Sequence, residues 1–374
     1  MKKINISPVD VIFANGSYPI EFLFFYKYKL NTKNIRLALK KLSSDFWPAF
    51  GKYHSGAIHS TTYSEQDCFD EEIIDHEFNS NESDENLYKT YCTSIPSDLE
   101  KLFFLTILQY KNGTVLIAKL NHLAGDGYSY FYLLSTLANL TRSNYLPLKK
   151  SLMQAFYKPR HQRTILQDFQ FTEKPPIPLQ LDENLTIRCE EIPKAEVRNR
   201  IKNISEHVNQ KVSTNDILTA IVIKNLFTMQ PNTFGIDFVV TIPIDVRRYI
   251  REYGPKYFGN GIMIHQHLFK SEEIEKSNVD ELAIHIRKSM PIVTKESYTA
   301  YLEKIEALIA SKQSDKLIPY DPARGCLVTN LSKLPADKLD FGSGNPDLIF
   351  LLTIGKNSTA ILADKDNIIL RLSY

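Results

Sequence analysis

His122-Leu123-Ala124-Gly125-Asp126-Gly127 is a short turn between two apolar segments, and the fold can be worked out from it. Before this turn, residues 102–110 and 114–121 are β-rich runs separated by Lys111-Asn112-Gly113, a pattern typical of a β-hairpin. After the turn, apolar residues recur at helical spacing through Leu140. The sequence therefore predicts that His122 lies in a strand-to-helix turn, where α/β enzymes commonly place their chemistry.

His122 is the candidate catalytic residue of this turn. An unperturbed imidazole titrates near neutrality and can take a proton from a hydroxyl or amine that attacks a carbonyl. Asp126 is then an orienting residue, best held by an arginine. Two structural alternatives stay open on the motif alone: Asp126 caps the following helix, or His122 is a core histidine bonded to backbone.

Length and composition indicate an ordinary globular protein with two domains. The chain has 374 residues, of which 43% are hydrophobic and 24% are charged. We expect an N-terminal domain over 1–150 and a C-terminal domain over 185–374. The segment 151–184 between them is rich in proline and reads as a crossover.

The charge balance argues against several kinds of partner. The 45 basic and 43 acidic residues give a net charge of +2, which predicts neither a nucleic acid nor a membrane surface as partner. The sequence shows no secretory leader and no apolar run of membrane-spanning length, so we expect a cytoplasmic protein. A monomer is expected by analogy only.

Metal and thiol chemistry are not expected either. Cys68, Cys92, Cys189 and Cys326 are far apart and lack metal-ligand spacing, which suits reduced thiols. His265 and His267 face the same side of a predicted strand, but a third ligand is missing.

Other elements follow from periodicity and capping. The apolar face of 35–46 predicts a helix that Asn31 or Thr32 can cap, and Ser213 caps a second apolar helix. The acidic stretch 65–85 is interpreted as a solvated, partly irregular surface segment. Further strands are predicted near 236–243, 260–269, 326–331, 347–354 and 359–371, with helices over 271–311.

Three more segments stand out, although each alone also fits ordinary loop or turn chemistry. Arg247 and Arg248 follow a buried strand and can hold a buried carboxylate. Glycines in Tyr257-Phe258-Gly259-Asn260-Gly261 suggest that backbone passes close to another element or a ligand. Asp340-Phe341-Gly342-Ser343-Gly344 makes a tight turn before a strand.

Together, the order and spacing of these segments resemble the BAHD acyltransferases, the coenzyme-A-dependent branch of the chloramphenicol-acetyltransferase-like superfamily. The resemblance covers most of the chain. It is carried by HxxxDG at 122–127, the first helix with its Phe46–Lys52 tail, the STNDxL-like helix start at 213–218, the R-x(n)-YFGN passage from Arg247 to Asn260, the VTSW-like 328–331 and the DFGWG-like 340–344.

The resemblance implies an α/β fold of two chloramphenicol-acetyltransferase-like domains, each a mixed β-sheet with flanking helices, and a channel between them. No cofactor would be held permanently; acyl-CoA would be a co-substrate that meets a small-molecule acceptor in a ternary complex. By this likeness His122 is the general base. Asp126 pairs with an arginine, and Asp340, with Gly342 in its turn, pairs with Arg247 or Arg248; both pairs are structural.

Coenzyme contacts are expected from the second domain. Pantetheine and phosphate would be bound by backbone donors and hydroxyls at the helix start near Ser213 and in the loop before the YFGN passage. Nearby positive charges would add to this binding. The candidates are Ser213, Thr214, Arg251, Lys256 and Tyr257. The two cations, Arg251 and Lys256, also fit ordinary exposed loop residues.

Departures from the family pattern affect the expected oxyanion site. Ser343 and Leu331 stand where the family motifs have tryptophan, and the indole at the second position is thought to help stabilise the oxyanion. Leucine has no donor, so we expect Asn330 or Thr329 to supply one.

Two other classes of function remain open. One is a condensation-type enzyme that takes its acyl group from a carrier protein, although Asn121 stands where that class has a second histidine. The other is a non-catalytic binding protein on the same fold.

Overall fold

The computed structural model describes residues 2–13, 19–92, 101–142, 158–163, 185–230, 234–317, 320–353 and 355–374. Two large β-sheets with flanking helices and one small sheet make up this part of the chain. Most of the predicted crossover 151–184 lies outside the described residues, apart from 158–163.

The first sheet belongs almost entirely to the first half of the chain. The predicted hairpin is confirmed, with residues 111 and 112 turning between two fully paired strands. Gly113 is required there because a Cβ would lie 2.1 Å from the Tyr26 carbonyl oxygen. In order across the sheet the strands are Leu348–Leu351, Ile20–Tyr26, Gly113–Leu120, Phe103–Tyr110 and Phe69–Ile73.

The acidic stretch 65–85 is more ordered than the sequence predicted. Phe69–Ile73 is a strand that pairs in parallel with Phe103–Tyr110 at the edge of the first sheet. Arg36 binds the carboxylates of Glu65 and Glu71, and its guanidinium lies 4.2 Å from the centre of the Phe69 ring. These contacts hold an acidic edge strand that charge alone would have left in solvent.

The second sheet is built from the second half of the chain. Its central strand Gly325–Asn330 pairs in parallel with Asp237–Asp245 on one side and with Ser358–Ala363 on the other. The strands expected near 236–243, 260–269 and 326–331 are confirmed in this sheet. The last predicted strand, 359–371, is two strands, Ser358–Ala363 and Asn367–Ser373. Outermost are Ile262–Lys270 and Ile187–Pro193.

The small sheet and the helices complete the described elements. The small sheet consists of Lys3–Asn5, Ala57–His59 and Lys52–His54. The α-helices are Pro8–Val11, Thr32–Asp45, Asp84–Tyr91, Gly127–Arg142, Lys194–Val208, Thr214–Met229, Ser271–Lys276, Val279–Ser289 and Lys295–Ala310. Asn31 and Ser213 cap their helices as expected. Within the described ranges, no helix has the length and apolarity needed to cross a membrane.

A strand from the second half crosses into the first sheet. Leu348–Leu351 pairs antiparallel with Ile20–Tyr26, so the two halves share one sheet. The Asp347 carboxylate supports the start of this strand by accepting a hydrogen bond from the Lys27 backbone at 3.0 Å.

The turn before the crossing strand is organised by Asp340, but not through the expected partner. One Asp340 oxygen accepts hydrogen bonds from the Gly342 and Gly344 amides at 2.7 and 2.8 Å. The other accepts one from Arg142 at 3.0 Å, so the expected pair with Arg247 or Arg248 is wrong. Arg142 ends the helix that begins at Gly127, which brings it to this turn, whereas Arg247 is occupied elsewhere.

The main hydrophobic core also spans both halves. It fills the space beneath the first sheet and continues through second-half residues such as Val246, Phe258 and Leu302, which are at most 1% exposed. At about 25 cal/mol for each Å² of buried apolar surface, a shared core of this kind holds the halves in one arrangement. The junction that carries His122 is therefore a packed interior surface.

Candidate active site

His122 lies where the sequence predicted it, between the strand Gly113–Leu120 and the helix Gly127–Arg142. The turn is tight because the Ala124 amide donates to the Asn121 carbonyl at 2.9 Å. A Cβ on Gly125 would lie 2.7 Å from the Ser129 Cβ, so the turn requires glycine there.

The two ring nitrogens of His122 have different surroundings. Nδ1 lies 3.1 Å from Oδ1 of Asn260, and the Phe13 ring stacks on the imidazole with centroids 3.8 Å apart. In the described part of the chain, no side chain or backbone group is hydrogen-bonded to Nε2. His122 is only partly buried, which leaves Nε2 as the nitrogen available to a reactant.

Burial lowers the pKa of the His122 imidazole below its usual value. The charge of Asp126 and hydrogen bonds to the His122 carbonyl and to Asn260 oppose this shift without cancelling it. The imidazole is therefore neutral at pH 7, which is the form that can accept a proton.

Asp126 does not contact the imidazole; it faces an arginine, as expected, but that arginine is Arg247, which the family resemblance implied as a partner of Asp340. Its two oxygens accept hydrogen bonds from the two terminal nitrogens of Arg247 at 2.8 and 2.9 Å. The amides of Ser129 and Gly261 also donate to Asp126, at 3.0 and 2.8 Å. The capping alternative is thus also realised, because the Ser129 bond lies in the first turn of the helix.

Electrostatics favour the charged form of this carboxylate. Burial on its own raises the pKa of Asp126, but the Arg247 charge and the hydrogen bonds together lower it below its usual value. Arg247 is likewise buried, and it also donates to the Ser129 hydroxyl and the Gly259 carbonyl at 3.1 and 2.8 Å. The pair joins the His122 turn to the second half of the chain.

Glycines make this close approach possible. A Cβ on Gly259 would lie 1.4 Å from Nη1 of Arg163, and a Cβ on Gly261 would lie 2.9 Å from Cζ of Arg247. Gly259 also has a positive φ of 152°. The prediction that backbone passes close to another element in this segment is confirmed, and the neighbours are two arginines.

A second set of buried contacts was not foreseen. Nδ2 of Asn260 donates to Oδ1 of Asp10 and to the His122 carbonyl, both at 2.8 Å. The other oxygen of Asp10 lies 3.3 Å from Nε of Arg163. Ser7-x-x-Asp10 with Pro8 was a readable capping signal for Asp10, whereas nothing in the proline-rich crossover distinguished Arg163.

Arg163 belongs to the short described piece of the crossover. Its terminal nitrogens donate to the Phe258 carbonyl at 2.6 Å and to the Ala124 carbonyl at 3.0 Å. Arg163 therefore connects the crossover, the His122 turn and the YFGN passage in the protein interior.

The expected coenzyme residues lie in different environments. Ser213 and Thr214 begin a helix, and the Ser213 hydroxyl accepts from the Asp216 amide at 3.4 Å. Arg251 is exposed and Lys256 is half-buried. Tyr257 is 2% exposed with Nη1 of Arg163 3.4 Å from its hydroxyl, and this burial argues against the expected coenzyme contact. Arg248 is exposed beside the buried Arg247.

The two oxyanion candidates face opposite sides of the strand Gly325–Asn330. Nδ2 of Asn330 donates to Oδ1 of Asn215 at 2.9 Å, on the side of the helix Thr214–Met229. Leu331 packs on the other side, where its side chain would lie 3.2 Å from a Cβ on Gly127. Because side chains alternate along a strand, Thr329 shares the face of Leu331, toward the His122 turn.

Cysteines and metal ligands form no site among the residues that the structure describes. Burial raises the pKa of the Cys68 thiol to about 12 and that of Cys326 further, so neither thiol is a nucleophile at pH 7. His265 lies 3.4 Å from the Ser289 hydroxyl and His267 packs on Phe269. No group of three potential metal ligands occurs in the described ranges.

Solved structures place the fold in the chloramphenicol-acetyltransferase-like class. Vinorine synthase aligns with a TM-score of 0.74 and 16% identity over 100% of this chain and 90% of that chain. TRI101 of F. sporotrichioides, complexed with coenzyme A and T-2, aligns with a TM-score of 0.70 and 14% identity over 99% and 94%. The first condensation domain of the calcium-dependent antibiotic synthetase gives 0.60 and 11% over 100% and 91%.

The family follows from the sequence. A family model described as the Transferase family matches residues 65–367, which is most of the chain. The chain therefore belongs to the BAHD acyltransferases. A search of curated proteins finds no match.

The buried pair generates a stability prediction. Asp126→Asn should lower the free energy of unfolding by about 3–5 kcal/mol, because it leaves the Arg247 charge without its buried partner. Asp245→Asn is the matched control, since Asp245 also contacts Arg247, at 3.2 Å, but its side chain is 33% exposed. That variant should lose only about 1 kcal/mol. Urea denaturation measures both, and equal losses would contradict the assigned role of Asp126.

Proposed function

We propose that this protein transfers an acyl group from acyl-CoA to a hydroxyl or amine of a small-molecule acceptor, with His122 as general base. The observation that carries the proposal is the His122 imidazole. Its Nδ1 is held by Asn260 while Nε2 is left to a reactant at the junction of the two halves. Family membership supports acyl transfer as the reaction.

The step is a direct transfer between two bound substrates. Nε2 of His122 takes the proton from the acceptor oxygen or nitrogen as that atom adds to the thioester carbonyl. The tetrahedral intermediate then collapses, the carbon–sulfur bond breaks, and the imidazolium returns the proton to the leaving thiolate. A positioned base of this kind contributes roughly 100- to 10,000-fold in rate.

A ternary complex requires that both substrates reach His122 together. The TRI101 structure complexed with coenzyme A and T-2 supports this, because a protein of the same fold holds the coenzyme and a second small molecule at once. The imidazole itself attacks neither substrate, so no covalent acyl-enzyme forms. No resident cofactor or metal takes part in the proposed step.

For the oxyanion donor, we favour Thr329 over Asn330. Thr329 shares the strand face of Leu331, which packs against the His122 turn, whereas the Asn330 side chain is held by Asn215 on the opposite face. A single hydrogen bond to the developing oxyanion is worth about 2.7–4 kcal/mol of barrier.

For the coenzyme, we propose that Ser213 and Thr214 provide backbone and hydroxyl donors at a helix N-terminus. The contact between Asn215 and Asn330 supports this, because it brings that helix start to the end of the strand that carries Thr329. Arg251 and Lys256 are the proposed partners of the adenosine phosphates, and the buried Tyr257 drops out of this set.

The alternative donor is an acyl thioester on a carrier protein. The structural likeness to a condensation domain over the whole chain supports this alternative. Asn121 is 3% exposed and its side chain accepts a hydrogen bond from the Leu123 amide at 3.0 Å. It therefore supports the turn and supplies no second imidazole, which favours the coenzyme as donor.

The proposed function predicts coenzyme A release that depends on His122. Wild-type protein given an acyl-CoA panel and a mixed pool of alcohols and amines should release coenzyme A and form an acylated product, as detected by mass spectrometry. His122→Ala should lower turnover by about 100-fold or more, because it removes the base. His207→Ala is the control, since His207 is exposed on a remote helix.

The pH dependence has a defined sign. Because burial lowers the pKa of His122, kcat/KM should persist below pH 6.5 and fall only as the pH drops through that lowered value.

Activity with an acylated carrier protein and none with any acyl-CoA would favour the alternative donor. No reaction and no coenzyme binding would favour a non-catalytic protein.

The oxyanion assignment predicts different effects at two neighbouring positions. Thr329→Val keeps the shape of the side chain and removes its hydroxyl, and should lower kcat by about 100-fold with little change in KM. Asn330→Ala should lower kcat by less than about 3-fold, since the Asn330 side chain is directed at Asn215. Steady-state kinetics on both variants separate the candidates; the reverse order of effects would give the role to Asn330.

A further inference from the structure

Asn260 lies between His122 and Asp10, and its contacts fix which way its amide points. Nδ2 is 2.8 Å from Oδ1 of Asp10 and 2.8 Å from the His122 carbonyl oxygen. Both of these atoms accept hydrogen bonds, so the nitrogen of the amide must face them. The amide oxygen is thereby directed at Nδ1 of His122, 3.1 Å away.

This orientation determines where the imidazole carries its proton. An amide oxygen can only accept a hydrogen bond, so Nδ1 of His122 must be the protonated nitrogen. In a neutral imidazole the other nitrogen then holds the free lone pair. Nε2 is thus left as the base, and a side chain from the second half of the chain helps to determine this, beside the His122 carbonyl.

Asp10 holds Asn260 in this orientation and is itself held from two sides. Its second oxygen accepts a hydrogen bond from the Ser7 amide at 2.7 Å and lies 3.3 Å from Nε of Arg163. Asp10, Asn260 and the Arg163 side chain are completely buried. The guanidinium offsets the buried negative charge, so the position of the carboxylate is well defined.

We propose that Asn260 and Asp10 are positioning residues for the transfer reaction, and that they hold His122 with Nδ1 protonated and Nε2 free. This inference rests on the proposed role of His122 as base. It adds an acceptor that selects the reactive nitrogen, and a carboxylate that acts on His122 only through Asn260.

The charges near His122 determine how a substitution at position 260 would change the pKa of the imidazole. The charge of Asp126 acts on it from the end of the turn, with Arg247 as partner, and that of Asp10 acts on it from the N-terminal helix, with Arg163 as partner. Asn260 is neutral, and the Phe13 ring covers one face of the imidazole. Each nearby carboxylate is therefore balanced by an arginine, and a new unbalanced charge at position 260 would dominate.

Exchanging the two side chains tests the relay, by which we mean the chain of hydrogen bonds from Asp10 through Asn260 to Nδ1 of His122. Asn260→Asp alone would bring two carboxylates to about 2.8 Å, the distance now spanned by a hydrogen bond, and should be destabilising. Adding Asp10→Asn restores a donor between the two positions and should recover part of the stability; the rest stays lost because Arg163 has no carboxylate partner and the His122 carbonyl has no donor. In that double variant a carboxylate accepts from Nδ1, so the pKa of His122 should rise by about one unit or more.

The double variant should therefore need a higher pH for activity than the wild type does. We expect the acid limb of its kcat/KM profile to move up by about one pH unit or more, because the imidazolium cannot accept a proton. The pKa is followed by nitrogen NMR of histidine-labelled protein, with His207 as an exposed internal reference. An unchanged His122 pKa in the folded double variant would overturn the relay.

NMR of the wild-type protein tests the tautomer of His122 directly, even if the double variant does not fold. Long-range proton–nitrogen spectra, with His122→Gln for assignment, should show Nδ1 protonated and Nε2 unprotonated in neutral His122. The opposite tautomer would overturn the inference. If the expected tautomer is found but no acyl transfer occurs, the relay stands and the proposed function fails.

Discussion

Asp126 and Arg247 come from opposite halves of the chain, and the rest of the site depends on their two hydrogen bonds of 2.8 and 2.9 Å. The carboxylate ends the His122 turn, and the guanidinium follows the strand Asp237–Asp245. Because both groups are buried, water cannot replace either partner while the halves are packed together. The pair therefore fixes the geometry of the junction, and with it the position of the strand end that carries Thr329.

In the proposed reaction a second buried ion pair has a different role. Arg163 and Asp10 balance each other, and through Asn260 they act on the imidazole without placing a net charge against it. A carboxylate in direct contact would have favoured the imidazolium, which is a poorer state for a base at pH 7. An uncharged amide between them keeps His122 oriented and neutral.

The sequence predicted the elements well, because the hairpin, the helix after Gly127 and the second-half strands all carry periodic apolar faces. It also predicted that an arginine holds Asp126, without identifying Arg247 as that arginine. The family resemblance implied Arg247 or Arg248 as the partner of Asp340, whereas the partner is Arg142. Arg142 meets Asp340 because its helix packs against a turn 198 positions later in the chain, and local sequence patterns do not show such packing. Arg163 could not be found for a similar reason: its four contacts are all distant in sequence, and its own segment has no periodicity.

The most direct test of this account is an experimental structure of the protein with coenzyme A bound. We expect the thiol sulfur to lie within about 4 Å of Nε2 of His122, since a transferring group must approach its base to near-contact distance. Asn260 should still face Nδ1 in that complex. A coenzyme bound with its thiol far from His122, or an imidazole turned so that Nδ1 faces the sulfur, would contradict the account.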